Sequence, residues 1–133
     1  CGQYDVALNI FKNIYQVAPH FSLWFKKDYA WTYLMTAFEK TSYDTTDAKL
    51  YLESQLAANY SEPGINEMWL AMLAYLYYRD GKSDKARRQI ELQAKLENPI
   101  DVLWKNQYPN ILNENSDFKD DFFKSLQVLG LVL

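Results

Sequence analysis

One histidine and one cysteine, His20 and Cys1, limit the nucleophilic chemistry this sequence can do. A Cys–His or Ser–His pair works only when the base lies within hydrogen-bond reach of the nucleophile. Cys1 is the first residue and His20 follows Pro19 in a predicted connection, so they read as a bystander thiol and an exposed loop histidine. A single cysteine also excludes an internal disulfide and every zinc site that needs two or more thiolates. No phosphate-cradling glycine loop, H-E-x-x-H pair or calcium loop is present. Asp117, Asp120 and Asp121 are clustered carboxylates, but they are expected on a solvated helix face, where nothing desolvates one of them into a general acid. The chain is therefore expected not to be an enzyme, and no catalytic residue, metal or cofactor is assigned.

Charge narrows the partners. Fourteen basic and seventeen acidic residues give a formal charge of −3, which does not suit a surface that neutralises phosphates. Arg79, Lys82, Lys85, Arg87 and Arg88 form a basic run, and Glu114, Asp117, Asp120 and Asp121 an acidic one. Both read first as solvated faces, with attraction between tail and repeat, or an acidic partner, as the alternatives. The aromatic residues recur at helix-packing spacing instead of interleaving with the basic run, so no nucleic acid is expected. No apolar run reaches the roughly 18–20 residues of a membrane span, and the uncharged stretch Met68–Tyr78 is far too short. Cys1-Gly2 fits the lipid-bearing start of a mature bacterial lipoprotein, but helix signals begin at once, without a tether. An excerpt of a longer chain is the preferred reading. The compartment stays open, with the cytoplasm ahead of a periplasmic or lipid-anchored location.

The elements that must position any site are helices. With 133 residues, 49% of them hydrophobic and 17% aromatic, the chain can bury a core as one domain without a staple. Apolar positions recur at helical period, and alternating runs are absent. Val6, Ala7, Ile10, Phe11, Ile14 and Val17 form a stripe over residues 4–17, closed by Pro19. A second helix is predicted over 22–40, and a third, capped by Asp44 or Thr45, runs through Asn59. A fourth, capped by Asn66, ends at Arg79, and a fifth, capped by Ser83, ends before Asn98-Pro99. Short helices are expected over 100–107 and 110–114, then a last one capped by Ser116 and stopped by Gly130. All connections are short, so neighbours are expected to pack antiparallel.

These helices repeat. Leu70, Leu73, Ala74 and Tyr77 are followed by Gly81, Ala86, Ile90 and Pro99. Thirty-nine residues earlier stand Trp31, Leu34, Met35 and Phe38, with Ala48 and Leu52 answering Ala86 and Ile90. Gly2, Ala7, Phe11, Ile14 and Pro19 supply the second half of another unit. The alanines stand where paired helices approach closest, and the larger residues one turn later fill the space between pairs.

Over residues 2–99 this pattern resembles the tetratricopeptide repeat (TPR). The tail around Ser116-Asp117-Phe118, Phe122-Phe123 and Leu129-Gly130-Leu131 resembles the closing segment of such regions in bacterial regulatory and signalling proteins. The unit spacing of 38 to 41 residues exceeds the family's 34, and the loop over 39–46 lacks the turn glycine. The resemblance implies an all-α fold, with antiparallel helix pairs stacked as a short right-handed solenoid closed by a C-terminal capping helix. It divides a single domain into a half repeat (1–19), two repeats (20–60 and 61–99) and capping helices (100–133).

It also implies a function: non-catalytic protein–protein interaction within a larger regulatory or assembly protein, with a peptide or protein segment held in a concave groove. Ala71, Tyr75, Tyr78 and Arg79 take the groove positions on one helix, with Tyr29, Thr32, Thr36 and Lys40 in the preceding unit. Lys40 and Arg79 stand at equivalent sites suited to a carboxylate. The alternative is a structural or oligomerisation segment whose groove is filled by residues 100–133, with Trp104 over Tyr75 and Tyr78. Because the first unit has no first helix of its own, part of the 4–17 stripe is expected to lack cover. A longer parent chain is the preferred remedy, with self-association of the isolated fragment as the secondary one.

Overall fold

Helix formation follows the apolar period closely. In the computed structural model, which describes residues 4–17, 23–59, 64–95 and 114–130, every regular element among the described residues is a helix. These are α1 (Tyr4–Val17), α2 (Leu23–Glu39), α3 (Thr46–Ala58), α4 (Ile65–Arg79), α5 (Ser83–Ala94) and α6 (Ser116–Val128). Gly2, Pro19, His20, Pro99, Trp104 and the short helices expected over 100–107 and 110–114 lie outside the described residues, Glu114 excepted.

The caps divide by mechanism. Asp44, one of the two residues expected to cap α3, stands two residues before its first helical residue, and its Oδ1 accepts the Thr46 N–H at 3.0 Å and the Thr46 hydroxyl at 2.7 Å. The other three expected caps are corrected. Asn66, Ser83 and Ser116 all lie inside the first turn, and the cap positions are Gly64, Lys82 and Asn115, none with a side-chain cap bond. Gly64 enters α4 at φ 85°, a left-handed conformation open to glycine, so backbone shape sets that start. At the other end of α4, Gly81 takes φ 77°, and the Lys82 N–H donates to the Tyr77 carbonyl at 2.9 Å. That six-to-one closure lets the chain reverse into α5 within three residues.

The chain forms two compact units, Cys1–Ala48 and Lys49–Leu133. In the first, α1 packs on α2 around an aromatic cluster. Phe11 meets Phe25 edge-on at 5.2 Å and stacks on Tyr29 at 5.9 Å, and Tyr15 meets Tyr29 at 5.7 Å. Leu8 is buried on the same face.

This corrects the stripe read from sequence, which grouped Phe11 with Ile10. At 100° per residue, Leu8, Phe11, Lys12 and Tyr15 share one side of α1, while Val6, Ile10, Ile14 and Val17 share the other. The first side faces α2. The second is exposed by 55%, 55%, 36% and 86% respectively.

In the second unit α5 packs along α4, and α6 packs on α4 as well. From Ile65 to Leu76 all but one residue of α4 is buried, as a helix without an apolar–polar division requires. Ala86 and Ile90 are buried on α5 and Leu52 on α3, and Ala48, which ends the first unit, is buried as well. Replacing Ala86 by leucine is expected to wedge α5 from α4 and destabilise by about 1–3 kcal/mol, read from the urea midpoint. An unchanged midpoint would refute the close helix approach assigned to this alanine.

Candidate functional site

Five of the eight groove residues expected from the sequence are buried in the structure: Tyr29, Thr32, Thr36, Ala71 and Tyr75. They are corrected here as contact residues, because a buried side chain gives a partner no surface. Helix α2 spends both threonines on its own backbone. Thr32 Oγ1 donates to the Asp28 carbonyl at 2.7 Å, and Thr36 Oγ1 donates to the Thr32 carbonyl at 2.8 Å.

Tyr29 lies in the aromatic cluster, stacked on Tyr33 at 4.9 Å with the two hydroxyl oxygens 3.1 Å apart. Lys12 Nζ sits 5.7 Å from the Tyr33 ring centre and 3.6 Å from Asp47 Oδ2, adding a cation over the ring. Burial pushes the Tyr33 phenol far above the ordinary tyrosine range, and the bond to Tyr29 and the Asp47 carboxylate add to the effect. Tyr29 is also raised by burial, against the pull of its bond to Tyr33.

Tyr75 is covered by α6. Its ring is 1% exposed, packed edge-on against Phe118 at 5.9 Å and tilted against Phe122 at 5.3 Å. Its hydroxyl donates to Asp121 Oδ2 at 2.7 Å, across 46 residues of sequence. Burial raises this phenol strongly, and the acceptor carboxylate raises it further. The covering residues repeat at i, i+4 and i+8 along α6: Phe118, Phe122 and Leu126, all buried. Asp121 is exposed, as expected of a solvated carboxylate, and is in addition the acceptor of the Tyr75 hydroxyl.

Three expected groove residues keep some surface: Lys40 is exposed, and Tyr78 and Arg79 are partly so. Arg79 already has an acidic neighbour, with Nη1 at 3.8 Å from Asp80 Oδ1. Asp80 in turn accepts a 2.8 Å ion pair from Lys49, whose ammonium also lies 5.1 Å from the Tyr77 ring centre. Lys40 belongs to one compact unit and Arg79 to the other.

No family model, no curated protein and no solved structure matches this chain. The residues alone must therefore carry the functional reading.

Elsewhere the described surface shows little convergence. A recess of about 360 Å³ is lined by Gly81, Lys82, Ser83, Asp84 and Lys85, all from one turn. Of the basic run, Lys82, Lys85, Arg87 and Arg88 are exposed as read, with Arg87 3.9 Å from Asp84 and Arg88 3.7 Å from Glu91, whereas the Arg79 side chain is mostly covered. Among the described residues, no three His, Cys, Asp or Glu side chains gather as metal ligands. None of the described helices is long and apolar enough to cross a membrane.

Proposed function

We propose that this chain is a non-catalytic helical scaffold, a short right-handed stack of TPR-like helix pairs whose own C-terminal helix fills the face that such repeats offer to a peptide. It works by shape, holding neighbouring domains or subunits of a regulatory or assembly protein at a set spacing. The carrying observation is the burial of Tyr75 beneath Phe118 and Phe122, with its hydroxyl held by Asp121. A peptide entering along α4 would have to displace that whole contact. Protein contact then belongs to other surfaces than this groove.

Native-state hydrogen exchange tests the reading, because an integral helix and a removable lid open differently. The α6 amides are expected to be protected as strongly as those of α4. Exchange from α6 a hundredfold or more faster than from α4 would mean a lid over an available groove, and the scaffold reading would fail.

A further inference from the structure

Positive charge gathers on the solvent side of α5. Residues 82–88 hold four cations, Lys82, Lys85, Arg87 and Arg88, all exposed, and one carboxylate, Asp84. The chain as a whole carries −3, so this excess is local. Arg87 and Arg88 reach carboxylates of their own helix, Asp84 and Glu91, and all four of these side chains keep half or more of their surface in solvent. No described carboxylate forms an ion pair with Lys82 or Lys85. Asp80, the nearest one upstream, is held by Lys49 at 2.8 Å. Lys85 and Arg88 are three apart on the helix and so are neighbours on its surface, and Lys82 precedes them by the same interval. The recess over Gly81–Lys85 lies at the head of this row.

From this arrangement we infer that the solvent side of α5 docks an acidic segment of another protein, whose carboxylates pair with Lys82, Lys85 and Arg88. This goes beyond the scaffold reading and does not depend on how α6 covers α4. The chain's own acidic run does not meet these cations. Helix α6 packs on α4, and none of Glu114, Asp117, Asp120 and Asp121 forms an ion pair with them.

The pattern of charge selects a protein over other polyanions. Asp84 and Glu91 stand exposed among the cations. A nucleic acid or an anionic bilayer presents one sign of charge, so each of these carboxylates opposes its approach. A protein segment can set a cation opposite Asp84 or Glu91 and carboxylates opposite the rest, which is how complementary charge fixes partner and register. Bilayer binding also calls for exposed apolar side chains beside the cations. Helix α5 offers none, because Ile90 is buried and Leu92 partly covered. Exposed ion pairs are individually weak, so the contact is reversible and sensitive to salt.

Fluorescence anisotropy of a labelled peptide of alternating Glu and Ser, titrated with the whole chain, tests this. Binding is expected at about 0.01 M salt and should weaken steeply toward about 0.15 M, as the screening length falls from roughly 30 to roughly 8 Å. Lys82→Glu/Lys85→Glu is expected to weaken it by about tenfold or more with an unchanged helical circular dichroism spectrum, because both side chains are exposed. Lys82→Arg/Lys85→Arg, which keeps the charge, should bind as the wild type does. So should Lys124→Glu, at an exposed cation of α6. A wild-type chain that does not bind the peptide at the lower salt overturns the inference. So does a double charge reversal that binds unchanged, or a Lys124→Glu variant that loses binding equally. A DNA duplex or a phosphatidylserine vesicle bound more tightly than the peptide, through the same two lysines, would overturn the choice of a protein partner. Self-association of the wild type that Lys82→Glu/Lys85→Glu abolishes would overturn it in favour of a second copy.

Discussion

Replacing Phe122 by alanine is expected to remove about 3–5 kcal/mol of stability from the second compact unit. The ring is wholly buried, 5.3 Å from the Tyr75 ring centre, 5.8 Å from that of Phe118 and 5.5 Å from that of Phe123. Truncation loses the transfer free energy of the ring and leaves a cavity against α4. That wall cannot close, because α4 is packed by α5 as well. A loss of this size is a large part of the 5–15 kcal/mol that holds a typical domain together. Urea denaturation followed by circular dichroism measures it. Val128→Ala, at an exposed position of the same helix, is the comparison and is expected to stay within about 0.5 kcal/mol of the wild type. A Phe122→Ala cost below about 1 kcal/mol would mean that α6 rests on the second unit without belonging to its core. The proposal that the chain fills its own groove would fall with it.

The contrast between α4 and α1 shows what the sequence could and could not convey. Helix positions were legible because period and punctuation agree: α1 spans residues 4–17 as read, α2 begins and ends within one residue of the reading, and α4 begins two residues early and ends at Arg79 as read. Of the alanines assigned to close helix contacts, Ala86 is completely buried on α5, which packs along α4, and Ala48 is buried too, while Ala7 is only partly covered.

The face of α1 was not legible, because that helix is apolar on two opposite sides and period alone does not say which side is covered. The ring contacts of Phe11 with Phe25 and Tyr29 decide it, and they lie across a connection. The cover over Tyr75 was hidden for the same reason. Tyr75 and Asp121 are 46 residues apart, and matching one repeat to another does not reveal what a later helix does to either. The tail's aromatic spacing did carry that signal: Phe118, Phe122 and Leu126 mark a helix with one buried side. That spacing marks a cap but does not reveal the acceptor at Asp121 that ties α6 to α4.

Alkaline pH is expected to weaken both compact units, through phenols that the fold keeps protonated. An unfolded tyrosine releases its proton near pH 10. Tyr33 in the first unit and Tyr75 in the second are buried, and both are pushed far above that value, chiefly by burial and then by their hydroxyl neighbours. Tyr43 is pushed up to about 12 by burial and by Asp47, but it is partly exposed and contributes less. Below pH 10 folded and unfolded chains hold the same phenolic protons, and stability does not depend on them. Above pH 10 the folded chain binds more protons, so each further pH unit favours unfolding by about 1.4 kcal/mol for every phenol that stays protonated. Each phenol that stays protonated in the fold should therefore cost about 1 kcal/mol between pH 10 and pH 11, approaching the full slope above that, which urea midpoints at pH 9, 10 and 11 can follow. Tyr33→Phe and Tyr75→Phe are the decisive variants, since each removes one titrating group and should flatten the decline of its own unit. They separate the phenols from lysine deprotonation, which continues unchanged in both variants. A decline just as steep after both replacements would show that the buried tyrosines do not cause it. Without any decline to pH 11, neither phenol would be held as its burial and hydrogen bond require.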